Sequence, residues 1–395
     1  MAPQTQQVSA AQINMAIRNS ILANGIPVLQ NVRSGQAVYA SGSPTVVNVL
    51  ASNVGLIRRF YLVLQGTLDC AAGHVLTATK FGLANLLSNV QFTDQNNRLR
   101  INTTGIHLHL AASEKRRRPF GAALVAATGQ SDTTGLGANF PVMNAPSSVS
   151  GGSSKAFAFI FEIPVVNSNT DLSGAIYANQ TTSNNQLQFT LNPSAFAYNS
   201  DPFNAAFTTD AALATALPTL TNLTWSLYQD FLDQLPQANG YAVLPPQDIA
   251  WALVYQSIQP GVQVAGNDNL YALPPFNVYQ NLMLFWNNYG YGGTTGGDVA
   301  YIKAQVSNTY VLKQWDPLML AVLTRNIMGC DMPGGNSASA AAFSGGVYSL
   351  DFRHKPLSVS QLSSTNIVFR PNSVQAGASL TIGQEYLWFA NQAVG

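Results

Sequence analysis

The sequence predicts an all-β protein made of two tandem β domains, with a short N-terminal helix and a few interspersed helices. The chain has 395 residues, and a single hydrophobic core rarely grows beyond about 250–300 residues. From about residue 44 onward, apolar and polar residues alternate with the period of two that is typical of strands. A segment with Gly240, Pro245 and Pro246 interrupts this pattern. We therefore expect a helix and arm at 1–43, a first β domain at 44–236, a linker at 237–248, and a second β domain with a C-terminal tail at 249–395.

The first segment has a helical period. Ser9 and Gln12 have the spacing of a capping box. Isoleucines then recur at every fourth position: Ile13, Ile17 and Ile21. Gly25 and Pro27 end the pattern. The helix either packs on its own domain or forms an arm that contacts a neighbour or a membrane surface, and the residues leave both interpretations open.

The first β domain is predicted from six segments rich in Val, Leu, Phe and Tyr. They are Pro44–Ala51, Leu56–Leu68, Val90–Thr93, Lys155–Val166, Leu187–Leu191 and Leu220–Leu232. Phe157, Phe159 and Phe161 fall on one face of the fourth segment. Many short strands separated by turn residues favour a sandwich or a barrel. The stretches 126–154 and 192–219 are predicted to be long loops, which are usually functional or disordered.

The second β domain repeats this organisation. Its predicted strands are Ile249–Ile258, Phe276–Trp286, Val347–Phe352, Ser364–Phe369 and Ser379–Phe389. Pro317–Met328 is predicted to be a helix because its apolar residues recur at helical spacing. Tyr289–Asp298 and Gly329–Gly346 are predicted to be loops rich in small residues.

Charged residues are scarce. They make up 9% of the chain, whereas about 25% is typical of soluble domains. A surface with few charges provides little electrostatic repulsion against self-association. The cores of protein interfaces are depleted of charged residues in the same way. The composition therefore favours extensive self-association. Residues 1–120 are also basic, since their acidic residues are only Asp69, Asp94 and Glu114, so this part could face an anionic surface.

A basic cluster follows Glu114. It consists of Lys115, Arg116, Arg117 and Arg118. The cluster could contact anionic lipid or nucleic acid. Alternatively, it lies in a solvated loop and pairs with acidic residues of a neighbouring subunit. The second interpretation is favoured because no aromatic residues interleave the cluster to stack on bases.

No motif for catalysis or cofactor binding occurs in the sequence, so we predict no enzymatic activity, no cofactor, and no catalytic, cofactor-binding or metal-binding residue. His107 and His109 would share one face of a strand but would point apart on a helix, and no cysteine or carboxylate lies near enough in sequence to complete a metal site. Cys70 and Cys330 cannot form a disulfide framework by themselves, which suits a protein made in a reducing cytoplasm.

Several segments resemble the major capsid protein of tectiviruses, the icosahedral phages with an internal lipid membrane. They are Phe81–Leu86, Gly105–His109, Asp171–Ala175, Tyr228–Pro236 and Gly383–Tyr386. The matches occur in order over most of the chain, and their order and spacing carry the resemblance. The loops at 126–154, 192–219 and 329–346 depart from the family pattern, which concerns the outer surface and not the architecture.

The resemblance implies a double jelly roll, with two eight-stranded jelly rolls standing side by side. It also implies homotrimers of pseudo-hexameric outline that assemble into an icosahedral virion shell, in contact with minor capsid and vertex proteins. No specific nucleic acid is expected as a partner. The N-terminal helix would face the internal viral membrane, with Arg18 and Arg33 as its candidate lipid-facing charges. The protein would be made in the host cytoplasm and reside in the virion.

Two other classes of protein are alternatives. A viral spike or a receptor- or carbohydrate-binding β protein would need a site of acidic and aromatic residues, for which Tyr289, Tyr291 and Asp298 are candidates. A β-sandwich glycosidase would need two carboxylates about 5–10 Å apart. The sequence alone does not show such a pair.

Overall fold

The structure is a computed structural model. It describes residues 9–79, 81–116, 148–178, 184–198, 203, 205–209, 218–288, 299–307, 310–328, 346–359 and 364–389. The loop predicted at 289–298 lies outside the described residues, as do nearly all of 329–346, most of 126–154 and about half of 192–219.

Strands dominate the described chain. The helices are α1 (Ala10–Asn24), α2 (Gly105–Arg116), α3 (Pro246–Ile249) and α4 (Pro317–Met328), with a short 3-10 helix at Gly82–Leu86. Up to the linker, the strands are β1 (Ile26–Gln36), β2 (Thr45–Leu50), β3 (Leu56–Asp69), β4 (Val75–Ala78), β5 (Leu87–Thr93), β6 (Leu99–Thr103), β7 (Ser148–Ser150), β8 (Ser154–Pro164), β9 (Ile176–Tyr177), β10 (Gln186–Leu191), β11 (Phe196–Tyr198), β12 (Phe207–Thr209) and β13 (Thr219–Asp233). Then follow β14 (Gln237–Ala238), β15 (Tyr241–Ala242), β16 (Trp251–Ile258), β17 (Asn269–Leu273), β18 (Asn277–Asn287), β19 (Val299–Val306), β20 (Tyr310–Trp315), β21 (Val347–Asp351), β22 (Leu357–Ser358), β23 (Thr365–Pro371) and β24 (Ser379–Phe389).

The long strands of the first domain form two sheets, with the orders β1-β13-β3-β8 and β2-β10-β5-β6. Counted along the domain, these orders are 1-8-3-6 and 2-7-4-5, which is the arrangement of a jelly roll. Phe60, Phe92, Phe161 and Phe189 are fully buried in one core that both sheets share. The alternation of apolar and polar residues therefore brings the apolar faces of the two sheets together.

The second domain has the same topology. Its sheets have the orders β16-β24-β18-β21 and β17-β23-β19-β20, which again read 1-8-3-6 and 2-7-4-5. Tyr279, Trp286, Ile302 and Phe369 belong to its separate core. A helix follows the fifth long strand in both domains, α2 after β6 and α4 after β20. The chain is thus a double jelly roll, as predicted, and its halves are equivalent element by element.

The two domains are joined edge to edge. Strand β6 of the first domain pairs in parallel with β16 of the second, and Ile101 and Asn102 lie opposite Tyr255 and Gln256. This pairing fuses one sheet of each domain into a continuous sheet. The relative position of the domains is therefore set by backbone hydrogen bonds as well as by side chains.

The N-terminal segment begins as predicted and then differs from the prediction. Helix α1 starts with a capping box in which Ser9 and Gln12 bond reciprocally. Strand β1, which lies within the predicted arm, pairs along its length with β13 and is the first strand of the first jelly roll. The prediction missed it because most of its residues are exposed on both faces, so no alternation marks it. The predicted linker contains the β14–β15 hairpin and α3.

His107 and His109 both lie on helix α2, so of the two alternatives the helix, on which they point apart, is the one that the structure shows. The alternating apolar residues from Gly105 to Leu110 arise because α2 is covered by protein on nearly all sides. Thr104 begins the helix, since its hydroxyl accepts a hydrogen bond from the backbone N–H of His107. No helix among the described residues is long and apolar enough to cross a membrane.

Candidate functional site

The joint between the two jelly rolls contains a buried polar network that links the two domains. We define the domain joint as α2 and β6 of the first domain together with the residues of β16, β18, β21, the turn after β21 and β24 that face them. It is held by the parallel β6–β16 pairing, by a buried cluster of charged side chains, and by the ring of His107.

Glu114, at the end of α2, provides the central charge of the domain joint. Its carboxylate is buried and accepts a hydrogen bond at 2.9 Å from the Arg353 guanidinium. Asn281 on β18 and Ser349 on β21 donate further hydrogen bonds to the same carboxylate. A buried carboxylate requires such partners because its loss of hydration costs several kcal/mol, as an order of magnitude. The last turn of α2 is therefore fixed to the second domain.

A second buried carboxylate, Glu385 on β24, shares the same arginine. Arg353 contacts Glu385 at 2.8 Å, and Lys115 of α2 contacts it at 2.7 Å. The ammonium group of Lys115 also lies 5.4 Å from the centre of the Tyr255 ring. Arg353 thus bridges Glu114 and Glu385, so charges from both domains form one cluster.

The environment moves the pKa values of the cluster in opposite directions. Burial raises the pKa of Glu114, although Arg353 and Ser349 act against this change. Burial also disfavours a charged Glu385, but Lys115 and Arg353 outweigh it and lower its pKa to about 2. Burial lowers the pKa of Arg353, yet Glu385 and Glu114 together raise it above its ordinary value. The cluster is an arrangement of paired charges that holds two domains together.

His107 fills the other side of the domain joint. Its Nδ1 lies 2.7 Å from the Thr103 hydroxyl, and its ring packs on the rings of Tyr255 and Phe285 at 5.7 and 6.0 Å. A Cβ atom added at Gly383 would come within 2.6 Å of this ring, so β24 needs glycine there. The histidine is a packing residue between the domains.

His107 and His109, which were considered as a metal pair and not predicted as one, do not converge. His109 points away from His107 and packs against Phe159 of its own domain, with ring centres 5.2 Å apart. Within the part of the chain that the structure describes, no three histidine, cysteine or acidic side chains are grouped so as to hold a metal ion.

The structure places Arg18 on helix α1 and Arg33 on strand β1. Arg18 on α1 binds the buried Asp248 of α3, with Nε and Oδ2 2.7 Å apart, and Asn14 donates to the same carboxylate at 3.0 Å. Arg33 is exposed on β1, seven residues after the first residue of the strand. This spacing corresponds to about 20 Å along an extended strand. Arg18 therefore fixes α1 to the linker, and the lipid-facing role of both residues stays a prediction.

Part of the basic cluster at 115–118 forms ion pairs inside the chain. Lys115 contacts Glu385, and Arg116 contacts Glu162 on β8. Arg117 and Arg118 lie outside the described residues. A contact of the cluster with an anionic surface or a neighbouring subunit is not tested and stays a prediction.

Sequence reasoning missed the residues that matter most in the domain joint. Glu114, Asn281, Ser349, Arg353 and Glu385 are distant in sequence and come together only when both jelly rolls have formed. No local motif marks them. Two features of the sequence could have indicated the charge cluster. Glu114 directly follows an uncharged segment and Glu385 interrupts one, and a carboxylate that is buried in such a place needs a partner.

Two jelly rolls of equal topology lie side by side in this chain, which is the double jelly-roll fold. Residues 2–235 match a family model described as P3 major capsid protein N-terminal, and residues 256–394 match P3 major capsid protein C-terminal. The chain therefore belongs to the P3 major capsid protein family.

A curated relative supports the same assignment. The chain is 28% identical to Major capsid protein P3 of Enterobacteria phage PRD1 over 393 residues, which cover 98% of this chain and 93% of the relative. The resemblance to tectivirus capsid proteins is confirmed by this relative and by the family models.

Solved structures show the same fold at much lower identity. The STIV MCP has a TM-score of 0.63 and 10% identity, covering 92% of this chain and 97% of its own. A structure of Sulfolobus Turreted Icosahedral Virus has a TM-score of 0.59 and 11% identity, covering 92% and 91%. The Faustovirus major capsid protein has a TM-score of 0.51 and 9% identity, covering 92% and 90%.

Family membership decides between the classes of protein considered above. The chain is a major capsid protein, a structural component of the virion and not an enzyme. Tyr289, Tyr291 and Asp298, the candidate residues for a carbohydrate site, lie outside the described residues. The spike and glycosidase alternatives receive no support from the comparisons.

We predict that His107 makes the stability of the protein depend on pH between about 6.5 and 4. Burial lowers the pKa of His107 from 6.5 to about 4. In this range the unfolded chain therefore binds a proton that the folded chain excludes, and stability falls as the pH falls through it. His107→Asn, which keeps a polar group near Thr103, should reduce this dependence.

The measurement is the melting temperature of both proteins at pH 7 and pH 5. The melting temperature of the wild type should fall by more between pH 7 and pH 5 than the melting temperature of His107→Asn. The exposed His354→Asn serves as the control and should behave like the wild type. Equal losses in wild type and His107→Asn would show that His107 has no part in the acid response.

Proposed function

We propose that the chain assembles as pseudo-hexameric homotrimers that form an icosahedral virion shell over an internal membrane. The observation that carries this proposal is the equal topology of the two jelly rolls, which lie side by side. One sheet of the first joins one sheet of the second into a continuous sheet. Three such subunits contain six jelly rolls of the same kind. A ring of six similar units has a nearly hexagonal outline, which packs into a flat facet without gaps.

The surface chemistry supports repeated contacts between copies. The chain has only 9% charged residues, and several of these are used inside the chain by pairs such as Arg353–Glu385 and Arg18–Asp248. Few charges are left to oppose association, while large apolar side chains such as Leu29 and Met319 are exposed. Single exposed apolar residues are common, but here they coincide with a surface poor in charge.

Assembly beyond the trimer would bring in further partners. We propose contacts with neighbouring trimers and with minor capsid and vertex proteins, and no sequence-specific contact with nucleic acid. Synthesis in the host cytoplasm agrees with a sequence that has only two cysteines, Cys70 and Cys330.

The trimer can be tested on purified protein. At micromolar concentration, native mass spectrometry and light scattering should both give three times the mass of one chain, because the proposed interface is large and apolar. The trimer should persist in 1 M NaCl, since salt screens exposed ion pairs but does not weaken apolar burial. A monomer in low salt at these concentrations would contradict the proposal.

The membrane contact is proposed for α1. Ile13 and Met15 are exposed on this helix, whereas Ile21 is buried against the first domain. Arg18 is committed to Asp248, so the proposal relies on the exposed apolar residues of α1, with Arg33 as an additional candidate charge. A helix of 15 residues would lie at the headgroups and not cross the bilayer.

Flotation with lipid vesicles tests this contact. We expect the wild type to float with vesicles that contain anionic lipid, and Met15→Glu to float severalfold less because it places a charge where an apolar side chain would enter the interface. Arg33→Glu shows whether that charge contributes. Lys155→Glu is the matched control, because Lys155 lies on β8, at the opposite end from β1 of the sheet that contains Arg33. This variant should float like the wild type. Equal flotation of Met15→Glu and the control would contradict a contact through α1.

A further inference from the structure

The two equivalent helices α2 and α4 are covered to very different extents. On α2, Gly105 to Leu108 and Leu110 to Glu114 are buried, because the second domain lies over the face that its own domain leaves open. On α4, Leu318, Met319 and Leu323 are exposed. The same structural position is thus closed in the first domain and open in the second.

The two equivalent strands β6 and β20 show the same difference. Strand β6 is paired on both sides, with β5 of its own domain and with β16 of the next. Strand β20 ends its sheet and, within the described chain, pairs only with β19. Tyr310, Val311 and Leu312 are exposed on it. Among the described residues, no strand pairs with its outer edge, which lies beside these apolar side chains.

The matching open edge lies at the other end of the molecule. Strand β16, which covers β6, is the first strand of the second jelly roll, so its equivalent in the first jelly roll is β1. Strand β1 also ends its sheet and, in the described residues, pairs only with β13. Ile26 and Leu29 are exposed on it. The domain joint pairs β6 with β16. Among the described residues, the equivalent strands β20 and β1 each have one edge that pairs with no other strand.

Exposed strand edges are usually protected against pairing by charges, prolines or bulges. Strand β20 carries Lys313 and a bulge at Leu312, and β1 carries Pro27, Arg33 and a bulge between Asn31 and Arg33. Both strands nevertheless expose apolar side chains. Such edges suit a partner that is always present, and a second copy of the chain satisfies this condition.

We infer that the edge of β20 and the outer face of α4 in one subunit dock on the β1 edge of a neighbouring copy, in the same parallel manner in which β6 docks on β16. This inference rests on the proposed trimer and identifies its interface. The contact joins two different surfaces, so it is heterologous and closes a ring when repeated through a rotation. In that ring the joint within each chain alternates with the joint between chains.

Charge insertion at either edge tests the interface. Leu312→Lys on β20 and Leu29→Lys on β1 each place an ammonium group at a side chain that is exposed in the isolated chain, by 44% and 61%. Each variant should keep its β-rich circular dichroism spectrum and run as a monomer in light scattering, where the wild type runs as a trimer. Val262→Lys is the control, because Val262 is 91% exposed and lies outside the strands, and it should remain a trimer.

A mixture of the two variants gives a sharper result. Leu312→Lys keeps an intact β1 edge, and Leu29→Lys keeps an intact β20 edge. The β20 edge of Leu29→Lys can therefore dock on the β1 edge of Leu312→Lys, whereas the two altered edges left in this pair cannot bind a third subunit. Native mass spectrometry of an equimolar mixture, with one variant isotope-labelled, should show a heterodimer that neither variant forms alone. A mixture that contains only monomers would overturn the head-to-tail interface.

The failure of this inference differs from the failure of the proposed function. If the wild type is a trimer and both edge variants are also trimers, the interface is wrong and the trimer stands. If the wild type is itself a monomer, the proposed function fails first. Should Leu312→Lys not fold, Met319→Lys on α4 tests the same surface at a position that is 59% exposed, and a trimeric Met319→Lys would count against the inference.

Discussion

The position of one jelly roll against the other depends on two buried carboxylates that share one guanidinium. Glu114 from the first domain and Glu385 from the second are both held by Arg353. A buried carboxylate without a partner costs several kcal/mol, as an order of magnitude, so only arrangements of the domains that bring all three groups together are tolerated. Together with the β6–β16 pairing, this requirement makes the two domains one rigid unit.

A rigid unit is what a shell made of identical copies requires. In the proposed ring, the two open edges of the chain meet their counterparts at a fixed rotation only if the angle between the jelly rolls is constant. The scarce charges of this chain agree with this need. Lys115, Arg116 and Arg353 act at or beside the domain joint, while the outer edges β1 and β20 are mainly apolar or uncharged. Charges are concentrated where they fix geometry.

Local patterns in the sequence predicted the elements whose two sides differ. Strand β24 and helix α4 begin and end where the periodicity predicted, at Ser379–Phe389 and Pro317–Met328, since each has a buried and a more exposed side. The same reasoning failed for α2, which is buried nearly all round, and for β1, which is exposed on both faces. In these two elements the environment does not alternate, so the sequence carries no periodic signal.

The candidate site could not be predicted for a different reason. The members of the charge cluster lie on α2, β24 and the turn after β21, and only the folded double jelly roll brings them together. The resemblance to a family supplied the arrangement of domains but not this chemistry. Conversely, Arg18 is the only charged residue of α1, yet its partner Asp248 lies 230 positions away. An isolated charge in a sequence says that a partner or solvent is needed, and it does not say which.

The charge cluster can be tested most directly by a mutant cycle on the free energy of unfolding in urea. Arg353→Met leaves two buried carboxylates without their shared cation and should destabilise the protein by about 3–5 kcal/mol. The triple variant that adds Glu114→Gln and Glu385→Gln removes those charges and should recover a large part of the loss, which is a strong positive coupling. If the effects of the three substitutions simply add, the buried ion cluster does not fix the two jelly rolls, and this account of the subunit is wrong.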